Sequence, residues 1–161
     1  MSIVLSLLLL VSNNNMIERR ETNVIIIHHS ATLSGNAEIF RKNHMTDPEK
    51  MWDDIGYHFV ITNGDGGADG KIELGRDIRK QGAHALKDGR NLDSIGVCLV
   101  GKNVFTKRQK ITTILLVVRL CLDYDIIPSS ETIQTHHEKC PGPGLDIEEI
   151  IKKVQVVLAM D

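Results

Sequence analysis

The sequence has no surplus of charge of either sign. Nineteen Lys and Arg against twenty-one Asp and Glu leave a formal net charge of −2, with 25% of residues charged and 42% hydrophobic. That balance disfavours both a polybasic nucleic-acid binder and a disordered chain, and leaves a globular domain. Nor is there an even set of cysteines. Three thiols cannot all pair within the chain, so a full disulfide framework is excluded and at least one cysteine is free or bound to something else. Internal repeats are absent, and 161 residues give room for one ordinary core but not for a second full domain. Aromatic residues are scarce at 4%, yet there are seven histidines. Many imidazoles beside an odd number of thiols admit a metal site.

No apolar run is long enough to cross a bilayer as a helix. Residues 3–11 are almost unbroken aliphatic sequence followed by Ser12, Asn13, Asn14 and Asn15, and this stretch is too short for a span. It resembles the apolar part of a secretory signal, but no Lys or Arg precedes it and no small-x-small cleavage site follows. Residues 1–15 therefore read as an apolar extension or signal-like segment, and residues 16–161 as the folded domain, with Met16 at its start. A signal role would place the protein outside the cytoplasm; otherwise it is made and held inside the cell.

Residues 24–27 form a β-branched run that predicts a buried strand ending at His28 or His29. Asn36 is placed to cap a short helix to His44 with Ile39 and Phe40 facing inward. Residues 56–62 and 71–75 predict two strands joined by a Gly/Asp-rich hairpin loop, with Asp69-Gly70 as the tight turn. That loop lacks the acidic spacing of an EF-hand. Residues 94–101 predict a central strand. Thr106 and Gln109 form a capping box for the clearest helix, whose apolar positions Ile111, Ile114, Leu115, Val118 and Leu122 recur at helical spacing, broadened by Leu116, Val117 and Cys121. A last helix follows Asp146. Strands and helices interleave, so the expected fold is α/β (α+β): a single domain with a central mixed sheet flanked by helices.

Chemistry concentrates in two histidine pairs, His28-His29 and His136-His137, with Cys140 close to the second. Imidazole and thiolate are the ligands zinc prefers, and three of them leave a fourth tetrahedral position open for catalysis. Consecutive strand residues point to opposite faces, so the pattern alone does not choose within a pair.

The residues also occur in a recognisable order: Ile27-His28-His29-Ser30-Ala31-Thr32, Gly56-Tyr57-His58-Phe59, Gly75-Arg76-Asp77, Gly82-Ala83-His84-Ala85, Asn91, Ser94-Ile95-Gly96-Val97-Cys98-Leu99-Val100-Gly101, and His136-His137-Glu138-Lys139-Cys140-Pro141-Gly142. From about residue 20 to the end the chain resembles type 2 N-acetylmuramoyl-L-alanine amidases, and within them the phage lysozyme-like branch of the superfamily that includes the peptidoglycan recognition proteins.

The resemblance implies a zinc hydrolase that cuts the amide between N-acetylmuramic acid and L-alanine of the peptidoglycan stem peptide, its single ion lying at the sheet's edge in a surface groove. It implies His28, His136 and Cys140 as metal ligands, with His29 and His137 as second choices. Tyr57 matches the active-site tyrosine and Lys139 the catalytic lysine. Here the pattern departs, because the family sets that lysine two positions before the last ligand whereas Lys139 adjoins Cys140. Adjacent side chains diverge, so a solvated loop charge is the competing role for Lys139, with Glu138 an alternative proton shuttle. His84 and Asn91 match positions lining the substrate groove, against a loop-orienting hydrogen bond as the plainer role. His44 and His58 are assigned to structure, and Cys98 and Cys121 to the core. Peptidoglycan is the expected partner of a monomer without nucleic acid or a stable membrane span. The competing class is a non-catalytic peptidoglycan-binding module, which typically lacks the cysteine ligand. As a phage product the enzyme would act on the wall from the host cytoplasm, and as a secreted one from outside or the periplasm.

Overall fold

The computed structural model describes residues 16–160 apart from Glu138. It contains five strands, β1 (Val24–His29), β2 (Phe59–Ile61), β3 (Ile72–Leu74), β4 (Ser94–Leu99) and β5 (Ile133–Thr135). Three α-helices, α1 (Ala37–Thr46), α2 (Lys107–Asp123) and α3 (Ile147–Leu158), and a 3-10 helix over Lys87–Leu92 complete the elements. The sheet order is β3-β2-β4-β1-β5. β1 runs parallel to β4 and β5, and β2 parallel to β4, while β3 returns antiparallel to β2. This is a single α/β domain with a mixed sheet. The expected hairpin forms where residues 63–70 were read as its loop; Gly70, at φ +72°, takes the left-handed conformation that glycine adopts without strain.

The two faces of the sheet follow from alternation. Ile25, Ile27, Ile95, Val97 and Leu99 share one face and pack on Leu116, Val117 and Leu120 of α2 and on Ile150, Ile151 and Val154 of α3. Side chains of opposite parity face the other way, where Val24 and Ile26 meet Ala85 and Val60 and Val100 meet Ala37 and Phe40 of α1. Helices thus cover both sides, which is why the central strands β1 and β4 are buried almost throughout. The structure extends β1 through both histidines. Among the described residues no helix is long and apolar enough to cross a membrane. Residues 1–15, read as an apolar extension, lie outside the described residues.

Two helices bury a narrower face than expected. Phe40 is buried, but Ile39 is 45% exposed. On α2 the buried stripe runs through Gln109, Thr113, Leu116, Val117, Val118, Leu120 and Cys121, so Leu116, Val117, Val118 and Cys121 face inward as expected, whereas Ile111, Leu115 and Leu122 are exposed. Apolar residues surround much of this helix, so periodicity could not choose its inner face. The cap does. Gln109 closes the capping box with Thr106 and inserts its side chain into the sheet, where Nε2 donates to the carbonyls of Ile61 at 3.0 Å and Val100 at 2.9 Å. Gln109→Leu strands the buried Val100 carbonyl, leaves the Ile61 carbonyl only the Val100 N–H as a donor, removes half the cap, and is expected to cost about 2 kcal/mol. The measurement is the guanidinium midpoint at unchanged m-value.

Candidate metal centre

The parity that buries Ile25 and Ile27 against α2 and α3 turns His28 to the opposite face, where the register sets it beside Cys98 of β4. Pairing of β1 with β5 then carries the chain to His136, whose backbone N–H donates to the Ile27 carbonyl at 3.3 Å. Directly afterwards the backbone reverses. Cys140 N–H donates to the His137 carbonyl at 2.8 Å, and His137 N–H to the Cys140 carbonyl at 3.3 Å. That turn swings Cys140 back over the carboxyl end of β1, with its Sγ 4.0 Å from His28 Nδ1. Ligand-capable atoms of His28, His136 and Cys140 all lie within 4.8 Å of one another. The site therefore sits over the carboxyl ends of β1 and the outer strand β5. His28 is 1% and Cys140 4% exposed, while His136 is exposed, so the cluster opens to solvent on one side only.

The second histidine of each pair secures the turn. His29 donates its backbone N–H to Cys140 Sγ at 3.4 Å and its Nε2–H to the Lys139 carbonyl at 3.0 Å. His137 Nδ1 accepts from Lys139 N–H at 3.2 Å. Electrostatics suit a cation. Burial, and then the neighbouring His136, His29 and His137, hold His28 well below the ordinary histidine value. Burial followed by His137 and His29 lowers His136 as well. Both imidazoles are thereby kept in the neutral form that binds metal. Burial pushes the Cys140 thiol up while the His29 amide opposes it, so a cation in the cluster is what would favour the thiolate.

The N-acetylmuramoyl-L-alanine amidase family matches this chain over residues 18–143, a span that contains the whole cluster. The chain belongs to that amidase family. Among its relatives, the endolysin of Escherichia phage T7 is 34% identical over 140 residues, covering 81% of this chain and 85% of that protein. Among solved structures, the endolysin amidase LysCS from Clostridium intestinale superposes with a TM-score of 0.72 at 26% identity, covering 87% of this chain and 88% of the other. A variant of Drosophila PGRP-LB in complex with tracheal cytotoxin matches with a TM-score of 0.63 at 26% identity over 84% and 82% of the two chains. The protein is an N-acetylmuramoyl-L-alanine amidase.

Around the amidase cluster the remaining candidates divide by depth. Tyr57 precedes β2, and its ring centroid is 5.2 Å from that of His28. Burial, then the Cys98 and Cys140 sulfurs, push its phenol far above the ordinary tyrosine value, so it stays a hydrogen-bond donor. Lys139 is exposed on the turn and makes no ion pair among the described residues. Glu138, the alternative shuttle, lies outside the described residues. His84 and Asn91 are buried, at 7% and 6% exposure, rather than lying open along a groove. Instead His84 Nδ1 stands 3.0 Å from His28 Nε2. His58 is buried and spans two backbone groups: its Nδ1 accepts from Gly96 N–H and its Nε2–H donates to the Lys80 carbonyl, each at 3.0 Å. The sequence reading missed the contact between His84 and His28. Its visible trace was the set of glycines in Gly82-Ala83-His84 and Ile95-Gly96-Val97.

Proposed function

We propose that the amidase works with one zinc ion held by His28, His136 and Cys140, and that it hydrolyses the amide between N-acetylmuramic acid and L-alanine of the peptidoglycan stem peptide. The supporting observation is the three-residue cluster itself. Two neutral imidazoles and one sulfur, close enough to share an ion and open on the His136 side, are a donor set suited to zinc with a fourth position left over. Bound zinc supplies Lewis acidity toward the scissile carbonyl and lowers the pKa of water.

The chain's own groups complete the proposal. Tyr57, held protonated beside the cluster, donates to the oxygen that becomes negative as the amide carbon turns tetrahedral. Lys139 contributes a solvent-screened positive charge at the mouth. Every donor comes from one chain, which supports a monomer as the working unit. Residues 16–161 are the proposed catalytic domain, supported at its start by buried Met16 and by Gln81 N–H donating to the Ile17 carbonyl at 2.8 Å.

Purified peptidoglycan treated with the enzyme should release stem peptides carrying a free L-alanine amino group, detected by mass and by N-terminal labelling. Binding to the wall without such release would mean a recognition module instead. Tyr57→Phe is expected to lower kcat about a hundredfold, the range for loss of one oxyanion donor, with zinc content unchanged. Lys139→Ala should lower kcat/KM by less than about tenfold, since an exposed charge is screened by solvent and salt.

A further inference from the structure

The nitrogen of His28 that faces away from the cluster meets a built partner. His84 Nδ1 is 3.0 Å from His28 Nε2, with the two rings edge to face and their centroids 5.0 Å apart. On its other side His84 Nε2 faces Ser94 Oγ at 3.5 Å, the outer limit of a hydrogen bond. Ser94 Oγ in turn donates to the Arg90 carbonyl.

Proton positions along this chain follow from its end. A carbonyl only accepts, so the single hydroxyl proton of Ser94 points at Arg90 and Ser94 offers lone pairs to His84. His84 must then carry its proton on Nε2 and accept at Nδ1. His28 must carry its own on Nε2. That leaves the Nδ1 lone pair of His28 directed at the side of Cys140 Sγ, 4.0 Å away.

The place of His84 is over-determined. A Cβ at Gly82 would lie 2.4 Å from His84 Cδ2, and one at Gly96 would lie 2.6 Å from both Cδ2 and Cγ. Only glycine on both sides leaves a slot for the ring. Asn91 Oδ1 accepts the backbone N–H groups of His84 and Ala85 at 2.9 and 2.7 Å, and Ser94 is fully buried. Four separated positions thus converge on one buried imidazole.

We propose that His84 is a positioning residue: it accepts the Nε2–H of His28, locks that ring in the tautomer whose Nδ1 faces the cluster, and is itself held by Gly82, Asn91, Ser94 and Gly96. An outer partner of this kind orients a ligand histidine and raises its basicity. The consequence for metal affinity rests on the zinc reading above; the tautomer does not.

The test uses the full chain labelled with 15N-histidine, first metal-free and then with zinc. Two-bond proton–nitrogen spectra should show His28 as the Nε2–H tautomer without metal in the wild type, and as a mixture of tautomers in His84→Phe. Zinc affinity, measured by competition with a chromophoric chelator, should fall about 10–100-fold in His84→Phe and by less in Ser94→Ala. His84→Asn, whose Oδ1 takes the place of Nδ1, should recover most of the loss, which restoration of bulk alone would not do. If His84→Phe fails to fold, His84→Leu takes its place in both measurements. An Nδ1–H tautomer at His28 in the wild type, or zinc binding within about twofold of wild type in every variant that folds, overturns the proposal. A wild type that binds no zinc but shows the expected tautomer and its loss overturns only the zinc reading.

Discussion

His136→Ala is expected to reduce peptidoglycan hydrolysis about a thousandfold and to take zinc content well below one ion per chain. The magnitude follows from the several kcal/mol that a metal contributes to charge stabilisation, at about 1.4 kcal/mol per decade of rate. Of the three donors this is the most informative to remove. His28 and Cys140 are buried, and His28 holds a hydrogen bond to His84, so their loss disturbs packing as well as metal. His136 is exposed, and the metal-free melting temperature of His136→Ala should therefore match that of the metal-free wild type. Treatment of the wild type with a strong chelator should reproduce the loss, and added zinc should reverse it there but not in the variant. Hydrolysis that survives either treatment would sink the zinc assignment.

Acid should destabilise the metal-free protein well before its carboxylates protonate. Burial, then the charges of Arg19 and Arg76, depress His58 from the ordinary 6.5 to about 4 in spite of its bond to the Lys80 carbonyl. His44 falls to about 4 as well, through burial and the charges of Lys50 and Arg76. The unfolded chain therefore binds more protons than the folded one between about pH 6.5 and 4, and stability must fall as pH drops through that window. At 1% exposure, His58 alone contributes a loss of about 3 kcal/mol across it, and the partly exposed His44 contributes less. Asp77, held near 2 by its hydrogen bonds from Arg79, gives up its contribution only below about pH 4. Denaturant midpoints at pH 7.5, 6, 5 and 4.5 in the presence of chelator measure the slope. His58→Gln should make it shallower, with the depressed His28, His44 and His136 keeping a remainder, and a pH-independent midpoint in the wild type would refute the assignment.

The candidate donor set was legible because its members keep a recognisable order along the chain, and that order pointed to the first histidine of each pair, a choice the strand pattern alone left open. His28 and His29 are chemically alike, and only the pairing of β1 with β4 and β5 decides which side of the sheet each one sees. β5 itself was invisible in sequence. Ile133, Gln134 and Thr135 carry no strong strand pattern, and they become a strand because β1 offers them an open edge. The inner face of α2 was read too widely for a related reason: Ile111 and Leu115 are as apolar as Leu116 and Val117, and what orients the helix is Gln109 reaching two strand carbonyls. The depth of His84 was hidden too, since burial belongs to the packed whole. What sequence could show was the pair of glycines that leave it room.

The donors are separated along the chain as well as joined in space. Cys140 and His28 lie 112 positions apart, and they meet only through β5, the last strand to be synthesised. Chains emerge and fold from the N-terminus at about 5–20 residues per second. A nascent or truncated chain that has completed the β1–β4 pair thus still lacks two of its three proposed ligands. Wall-cutting capacity therefore arrives late in synthesis, with the segment that closes the sheet.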